Sequence, residues 1–239
     1  MSNPNNFKEI EGKESSAVEV RLGRYQEVLS DIADGSVAVV VTDPDWRWHQ
    51  AEWAELGAFC KRILRPGGVL VVYPGPLHLD EAVCGIRQHL NHFWTGALPY
   101  RGRRPIFRSL NVEIGWTPLL FFAKGEYEPR GQPLCDSLPS PSEKVWHPWQ
   151  KPLPHVRYYV EYFTGGPDDL VVDPCLGGGT TAVAALQLGR RFIGCDVDPE
   201  AVERTRARLA EEPQPEPPEP TEGAAVVRLP PPSDDPAAA

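Results

Sequence analysis

Cysteine is sparse and unpatterned in this chain. Cys60, Cys84, Cys135, Cys175 and Cys195 are odd in number, and they include no Cys-x-x-Cys pair and no Cys/His ligand spacing. That excludes a disulfide frame or a cysteine zinc site and fits reduced thiols in a cytosolic protein. Long apolar runs are also missing. No window approaches eighteen apolar residues, so no membrane span is expected, and the opening MSNPNNFKEIEGKESS lacks the apolar core of a signal peptide. Together these absences predict a cytoplasmic protein with no membrane partner. No internal repeat is found.

Proline and glycine, by contrast, are plentiful at 27 and 21 of 239 residues. Much of the proline lies in EEPQPEPPEPTEGAAVVRLPPPSDDPAAA, residues 211–239, which hold nine prolines, seven acids and one arginine. With so little to bury, this stretch reads as a disordered acidic tail. It carries six of the nine net negative charges, so the body is only mildly acidic and its overall charge says little about nucleic-acid binding. Arg101, Arg103, Arg104 and Arg108 form a local basic cluster suited to phosphate contacts, the alternative being a solvated basic loop. The expected organisation is a flexible arm over 1–17, one domain over 18–210 and the tail.

Within that domain, short apolar runs alternate with helical stretches, the signature of an α/β protein with a largely parallel sheet. Strands are expected at 18–22, 37–42, 69–73, 95–100, 169–172 and 191–195. A strand over 113–122 is expected to lie at an edge because Pro118 interrupts it. Helices are expected at 51–64, 79–90, 156–163, from the glycine run to about 188, and 199–210. Residues 125–146 show no period.

Two constellations carry chemistry. In DLVVDPCLGGGTTAVAALQLGRRFIGCDVDP, residues 169–199, a strand, a glycine turn, a helix of small residues and a second strand ending in Asp196 form a nucleotide half-site. The glycines allow close backbone approach, the helix start offers unpaired N–H groups, and Asp196 can accept from ribose hydroxyls. In VVVTDPDW, residues 39–46, a buried strand delivers an acid, a proline and an indole to the carboxyl edge of the sheet. An acid beside a backbone carbonyl can take the hydrogens of an exocyclic amine, and the indole can stack on a base. Taken singly, each is also a plain strand-to-helix loop or turn.

The pairing of the two resembles the S-adenosylmethionine-dependent DNA amino-methyltransferases of adenine N6 and cytosine N4, in their permuted β-class order. Asp43-Pro44-Asp45-Trp46 resembles the catalytic Asp/Ser-Pro-Pro-aromatic element. His147-Pro148-Trp149-Gln150-Lys151-Pro152 resembles His-Pro-x-Gln-Lys-Pro, and Asp173-Pro174-Cys175-Leu176-Gly177-Gly178-Gly179-Thr180-Thr181 resembles Asp-Pro-Phe-x-Gly-x-Gly-Thr-Thr. The likeness runs from about Val18 to Leu209. It implies a Rossmann-like class I methyltransferase fold: a mostly parallel, doubly wound sheet with one antiparallel strand, circularly permuted.

The resemblance also implies roles. Asp43 and the Pro44 carbonyl would take the two amine hydrogens, and Trp46 would stack on the flipped base. Asp173, Cys175, Gly177, Gly179 and Thr180 would line the cofactor's methionine end, Asp196 its ribose, and Gln150, Lys151 and Pro152 the adjoining wall. No metal is needed. The leading Asp, where Ser also occurs, tilts the target toward adenine N6. Two departures stand out. Asp45 occupies the place of a second proline and, if buried, could share a proton with Asp43; Arg24 stands where an acid typically meets the cofactor adenine, and it cannot accept that bond. The short stretch between Lys124 and Trp146 leaves little room for a base-reading module. DNA is the implied partner, and a homodimer or a partner subunit is compatible with the resemblance; RNA methylation by the same site and a catalytically degenerate regulatory or binding subunit are the competing readings.

Overall fold

The computed structural model describes residues 18–100, 104–139, 145–147 and 149–212. The expected arm over 1–17, the tail beyond Glu212, Arg101, Arg103 and Pro148 lie outside the described residues.

In chain order the elements are β1 (Val18–Leu22), α1 (Tyr25–Val28), β2 (Val37–Thr42), α2 (Gln50–Ile63), β3 (Leu64–Val72), α3 (Leu79–Ile86) and β4 (Asn91–Pro99). A small hairpin of β5 (Ile106–Phe107) and β6 (Val112–Glu113) follows, then β7 (Trp116–Ala123), α4 (Leu153–Phe163), β8 (Leu170–Asp173), α5 (Thr180–Gln187), β9 (Arg191–Asp196) and α6 (Pro199–Glu211). Seven strands form one sheet in the order β1-β9-β8-β2-β3-β7-β4. All its neighbours pair in parallel except β7, which runs antiparallel to both β3 and β4.

The sequence explains the layering. VAVVVT in β2 is buried at every position, as a central parallel strand covered on both faces must be. Its side chains alternate between two cores. Val40 joins Val72 and Val172 under Tyr25, Leu29, Trp53, Leu56, Ile63 and Ile86 of the α1–α3 side. Val39 and Val41 join Val71 and Val171 under Val156, Tyr159, Phe163, Ala182 and Ala185 of α4 and α5. Each fully buried aliphatic or aromatic side chain of this kind contributes about 1.5–3 kcal/mol relative to exposure. α5, TTAVAALQ, is apolar almost all round and accordingly lies buried along nearly its whole length.

The antiparallel strand corrects one expectation. β7 is not an edge strand; it lies between β3 and β4, and β4 is the edge. Pro118 is tolerated because β3 pairs with β7 only from Leu120 to Ala123, whereas residues 116–119 have β4 alone as partner. The missing N–H therefore falls where one side has no ladder.

β8 and β2 are adjacent in the sheet but far apart in the chain, with Val172 opposite Val40. Winding proceeds outward from this pair in opposite directions, which makes it the topological switch point, where open α/β sheets leave a crevice at the carboxyl ends. Asp173 ends β8 and Asp43 follows the last residue of β2.

Candidate active site

Asp43 is held on two sides. Its Oδ1 accepts from Trp46 Nε1 at 3.2 Å, and its Oδ2 forms an ion pair with Lys151 Nζ. The Lys151 ammonium, 10% exposed against 25% for the Asp43 side chain, also lies 5.5 Å from the Trp46 ring centroid and 5.3 Å from that of Tyr73. These separations suit cation–π attraction to both rings. Pro44 is buried behind the loop. Gly75 packs under Trp46: a Cβ there would fall 2.7 Å from the indole Cβ and Cγ.

Asp45 turns away from this cluster. It is exposed, and its carboxylate takes the Arg47 backbone N–H at 2.9 Å and Arg47 Nη2 at 2.5 Å. The Arg47 side-chain bond holds its pKa below the usual carboxylate range. The expectation of a proton shared between two buried acids is thus corrected: Asp45 is exposed, and the arginine two residues on satisfies it instead.

The nucleotide half-site is assembled on the neighbouring strands. Gly177 and Gly179 have φ of +50° and +72°, in the left-handed region where glycine is favoured. Asp196 at the end of β9 accepts the Gly177 amide at 2.9 Å and the Asp198 amide at 3.0 Å. Thr205 Oγ1 donates to the Gly177 carbonyl at 3.2 Å, and the buried Arg208 donates to the Gly178 carbonyl at 2.8 Å and Thr180 Oγ1 at 3.1 Å. Two residues of α6 therefore pin the glycine loop. Asp173 is buried and accepts the Cys175 amide at 3.1 Å; loss of hydration raises its pKa from 3.8 to about 7. Cys175 is half-buried beside it.

The 147–152 element joins the halves. Gln150 Oε1 accepts the Trp146 amide at 3.0 Å, Pro152 is the N-cap of α4, and the Lys151 carbonyl accepts from Thr180 Oγ1 at 3.4 Å. The resemblance puts Lys151 in the cofactor wall; its carbonyl meets Thr180 at the start of α5, while its ammonium is on Asp43.

Other expected residues are not gathered here. Arg104 ion-pairs with Glu113 across the β5–β6 hairpin at 3.1 Å, and Arg108 is exposed on the same hairpin. Arg24, by contrast, stands beside the half-site: it is the exposed N-cap of α1 and directly follows Gly23, whose amide donates to the Asp196 carbonyl at 2.8 Å. Residues missed by sequence reasoning include Tyr73, His155, Thr205 and Arg208. Tyr73 Oη lies 2.9 Å from His155 Nδ1, and burial, with the Lys151 charge second, lowers the His155 pKa to about 4. Position was the available signal for Tyr73, which directly follows a buried parallel strand; nothing in the sequence marked the α6 pair.

The sheet order and the crevice over β2, β8 and β9 define the class: a class I methyltransferase-type α/β fold. Solved structures share it. TTHA0409 of Thermus thermophilus, a candidate DNA modification methylase in complex with S-adenosyl-L-methionine, superposes with a TM-score of 0.63 at 22% identity, covering 81% of this chain and 93% of that one. The PvuII DNA methyltransferase, cytosine-N4-specific, gives 0.66 at 20%, covering 81% and 88%. The chain belongs to the N6/N4-type DNA methylase family, whose model matches residues 50–207. That match begins just beyond the Asp43 loop. YubD of Escherichia coli (strain K12), a candidate methylase, is 39% identical over 75 residues, 28% of this chain and 33% of YubD. The chain thus matches about a third of that curated relative's length.

Proposed function

We propose that this protein transfers a methyl group from S-adenosylmethionine to an exocyclic amine of DNA, adenine N6 in preference to cytosine N4. The observation that carries the reading is the meeting, at one switch point, of an amine-accepting loop and a nucleotide half-site. The residues fit the cofactor. Asp173 is a buried acid suited to the ammonium of the methionine end, and Asp196 keeps lone pairs beyond its two amide bonds for a ribose diol.

When bound, S-adenosylmethionine supplies an electrophilic sulfonium methyl. The chain's own residues do the rest. Asp43 takes one hydrogen of the target amine and the Pro44 carbonyl the other, which turns the nitrogen lone pair out of conjugation with the ring. Two bonds to Asp43 leave acceptor capacity for this third. Lys151 balances the carboxylate charge and fixes its rotamer. Trp46 stacks on a base flipped from the duplex. As nitrogen takes the methyl, the carbon–sulfur bond would break with its electron pair left on sulfur as a neutral thioether; positive charge grows on nitrogen, and the Asp43 carboxylate stabilises it and accepts the departing proton. Orientation and prepositioned charge supply the rate. Adenine is favoured by the Asp at position 43, although the PvuII enzyme that shares the fold is cytosine-specific.

The test is labelled-methyl transfer to unmethylated DNA and matched RNA, followed by nucleoside mass spectrometry. N6-methyladenine in DNA, with turnover lowered about 10²–10³-fold in Asp43→Ala, is the expected result. Cofactor binding with no transfer to DNA sinks the proposal, label in RNA alone redirects it, and N4-methylcytosine overturns the choice of base.

A further inference from the structure

Three side chains with metal-ligand chemistry meet at a place that methyl transfer does not use. His49 is the N-cap of α2, His78 the N-cap of α3, and Glu81 stands in the first turn of α3. His49 Nδ1 lies 3.1 Å from Glu81 Oε2, and His78 Nδ1 lies 3.0 Å from Glu81 Oε1. One ligand atom from each residue falls within 4.8 Å of the other two, and the imidazoles cross edge to face with centroids 5.5 Å apart.

The packing of α2 on α3 creates this meeting. A Cβ on Gly85 would fall 2.6 Å from the Gln50 carbonyl oxygen and from Trp53 Cβ, so only glycine lets α3 lie so close to the start of α2. The Gln50 amide then fixes Glu81 Oε2 at 2.8 Å, and the His49 amide is satisfied separately by Glu52 Oε2 at 3.1 Å. Both imidazoles therefore converge on a carboxylate that is already anchored.

The spacing suits an ion as well as hydrogen bonds. Four ligands at about 2.0–2.2 Å around a tetrahedral cation stand about 3.3–3.6 Å from one another. Measured to the single oxygen Glu81 Oε1, the two nitrogen-to-carboxylate edges are 3.3 Å from His49 Nδ1 and 3.0 Å from His78 Nδ1, and rotation of the largely exposed His49 ring can adjust the third. The solvent side leaves the fourth position to water. Two helix N-termini oppose a cation here, and the carboxylate charge of Glu81 answers them. Imidazole with one carboxylate selects a transition ion over magnesium or calcium.

We propose that His49, His78 and Glu81 bind one divalent transition-metal ion, Zn²⁺ being the type, which clamps the loop after β2 to the loop after β3. The first loop carries Asp43 and Trp46; the second carries Tyr73 and the Gly75 that packs under Trp46. The ion takes no part in the chemistry, and its binding can be read without any methyl transfer.

The experiment is calorimetric titration of the full-length, chelator-treated protein with Zn²⁺ at neutral pH, beside Mg²⁺. One Zn²⁺ per chain with a Kd of about 10 μM or lower, a Tm that rises with Zn²⁺, and no response to Mg²⁺ are expected. His78→Asn and Glu81→Gln each keep a hydrogen-bonding side chain, and each is expected to weaken Zn²⁺ at least about tenfold while the metal-free circular dichroism is unchanged. Co²⁺ in place of Zn²⁺ is expected to show weak visible bands and no thiolate charge-transfer band, which separates this site from the exposed Cys84. Binding that survives both substitutions, a thiolate band, or no saturation at millimolar Zn²⁺ overturns the proposal. Should either variant misfold, His49→Asn, at an exposed side chain, makes the same comparison.

Discussion

At the scale of single residues, Asp43, Lys151 and Asp173 set the electrostatics of the crevice. Lys151 is the more buried partner of its ion pair, wedged between Trp46 and Tyr73. Removing Asp43 strands an ammonium among rings, whereas removing Lys151 strands a carboxylate that water reaches. Asp43→Ala is therefore expected to cost about 2–3 kcal/mol of stability and Lys151→Met about 1 kcal/mol or less. Chemical denaturation of both variants checks the order, and the reverse order would mean that Asp43, not Lys151, is the partner shielded from water. Asp173 adds a pH signature. Its folded pKa is raised to about 7 from 3.8, first by burial and also by the charge of Asp196. The stability it contributes is thus whole below about pH 3.8 and lost as pH rises toward 7. Asp173→Asn is expected to match wild type near pH 4 and to exceed it in Tm at pH 8. On the proposed placement of the cofactor's ammonium at Asp173, which would favour the ionised carboxyl, S-adenosylmethionine binding at pH 6 is expected to release a proton. Calorimetry in buffers of different ionisation enthalpy measures that release, and Asp173→Asn should abolish it. Uptake or no exchange would separate Asp173 from the methionine end.

At the scale of elements, the glycine loop is rigid because α6 reaches over it. A Cβ on Gly179 would lie 2.5 Å from Thr205 Cγ2, at a φ that non-glycine residues avoid. Gly179→Ala is expected to cost about 1–3 kcal/mol and to weaken S-adenosylmethionine binding, measured by thermal denaturation and calorimetry; unchanged affinity would place the cofactor elsewhere. This loop was legible in the sequence as glycine, glycine and Asp196, but its supports were not. Local pattern fixes strands well: the expected bounds 18–22 and 37–42 coincide with β1 and β2, because β-branched runs between turns admit few alternatives. Partners across the chain leave no local trace. Nothing near Lys151 announces that it reaches Asp43, and nothing near Tyr158, Tyr159 or Tyr162 announces that they tie down 132–135. Their hydroxyls bond the Cys135 amide at 2.8 Å, the Cys135 carbonyl at 2.9 Å and the Gln132 carbonyl at 2.8 Å. The unperiodic 125–139 stretch is thus no separately folded unit. It packs along edge strand β4, where the Asp136 carbonyl takes the Ala97 amide at 2.7 Å and Tyr127 stacks on Phe93 at 3.9 Å. It covers open ladder groups that would otherwise invite pairing.

At the scale of the whole molecule, charge and geometry bear on how an acidic protein would meet the proposed DNA substrate. The carboxyl ends of β2, β8 and β9 open on one side of the sheet, and α6 starts there, at Pro199, shortly after β9 ends at Asp196. Its 13 residues carry the chain about 20 Å away, toward the opposite side. The 27 residues beyond Glu212 hold five acids and one arginine, so removing them moves the net charge from −9 to −5. That charge begins beyond Glu212, the C-cap of α6, about 20 Å from the helix start, and long-range repulsion of DNA from there is screened within about 8 Å at 0.15 M salt. Truncation after Glu212 is therefore expected to tighten DNA binding at about 0.02 M salt and to leave it within about twofold at 0.15 M. Fluorescence anisotropy across a salt series, on full-length and truncated protein, measures both limits. A gain that persists at 0.15 M would mean that the segment reaches the crevice and competes with DNA by contact. Loss of binding on truncation would give it a positive role in assembling the interface.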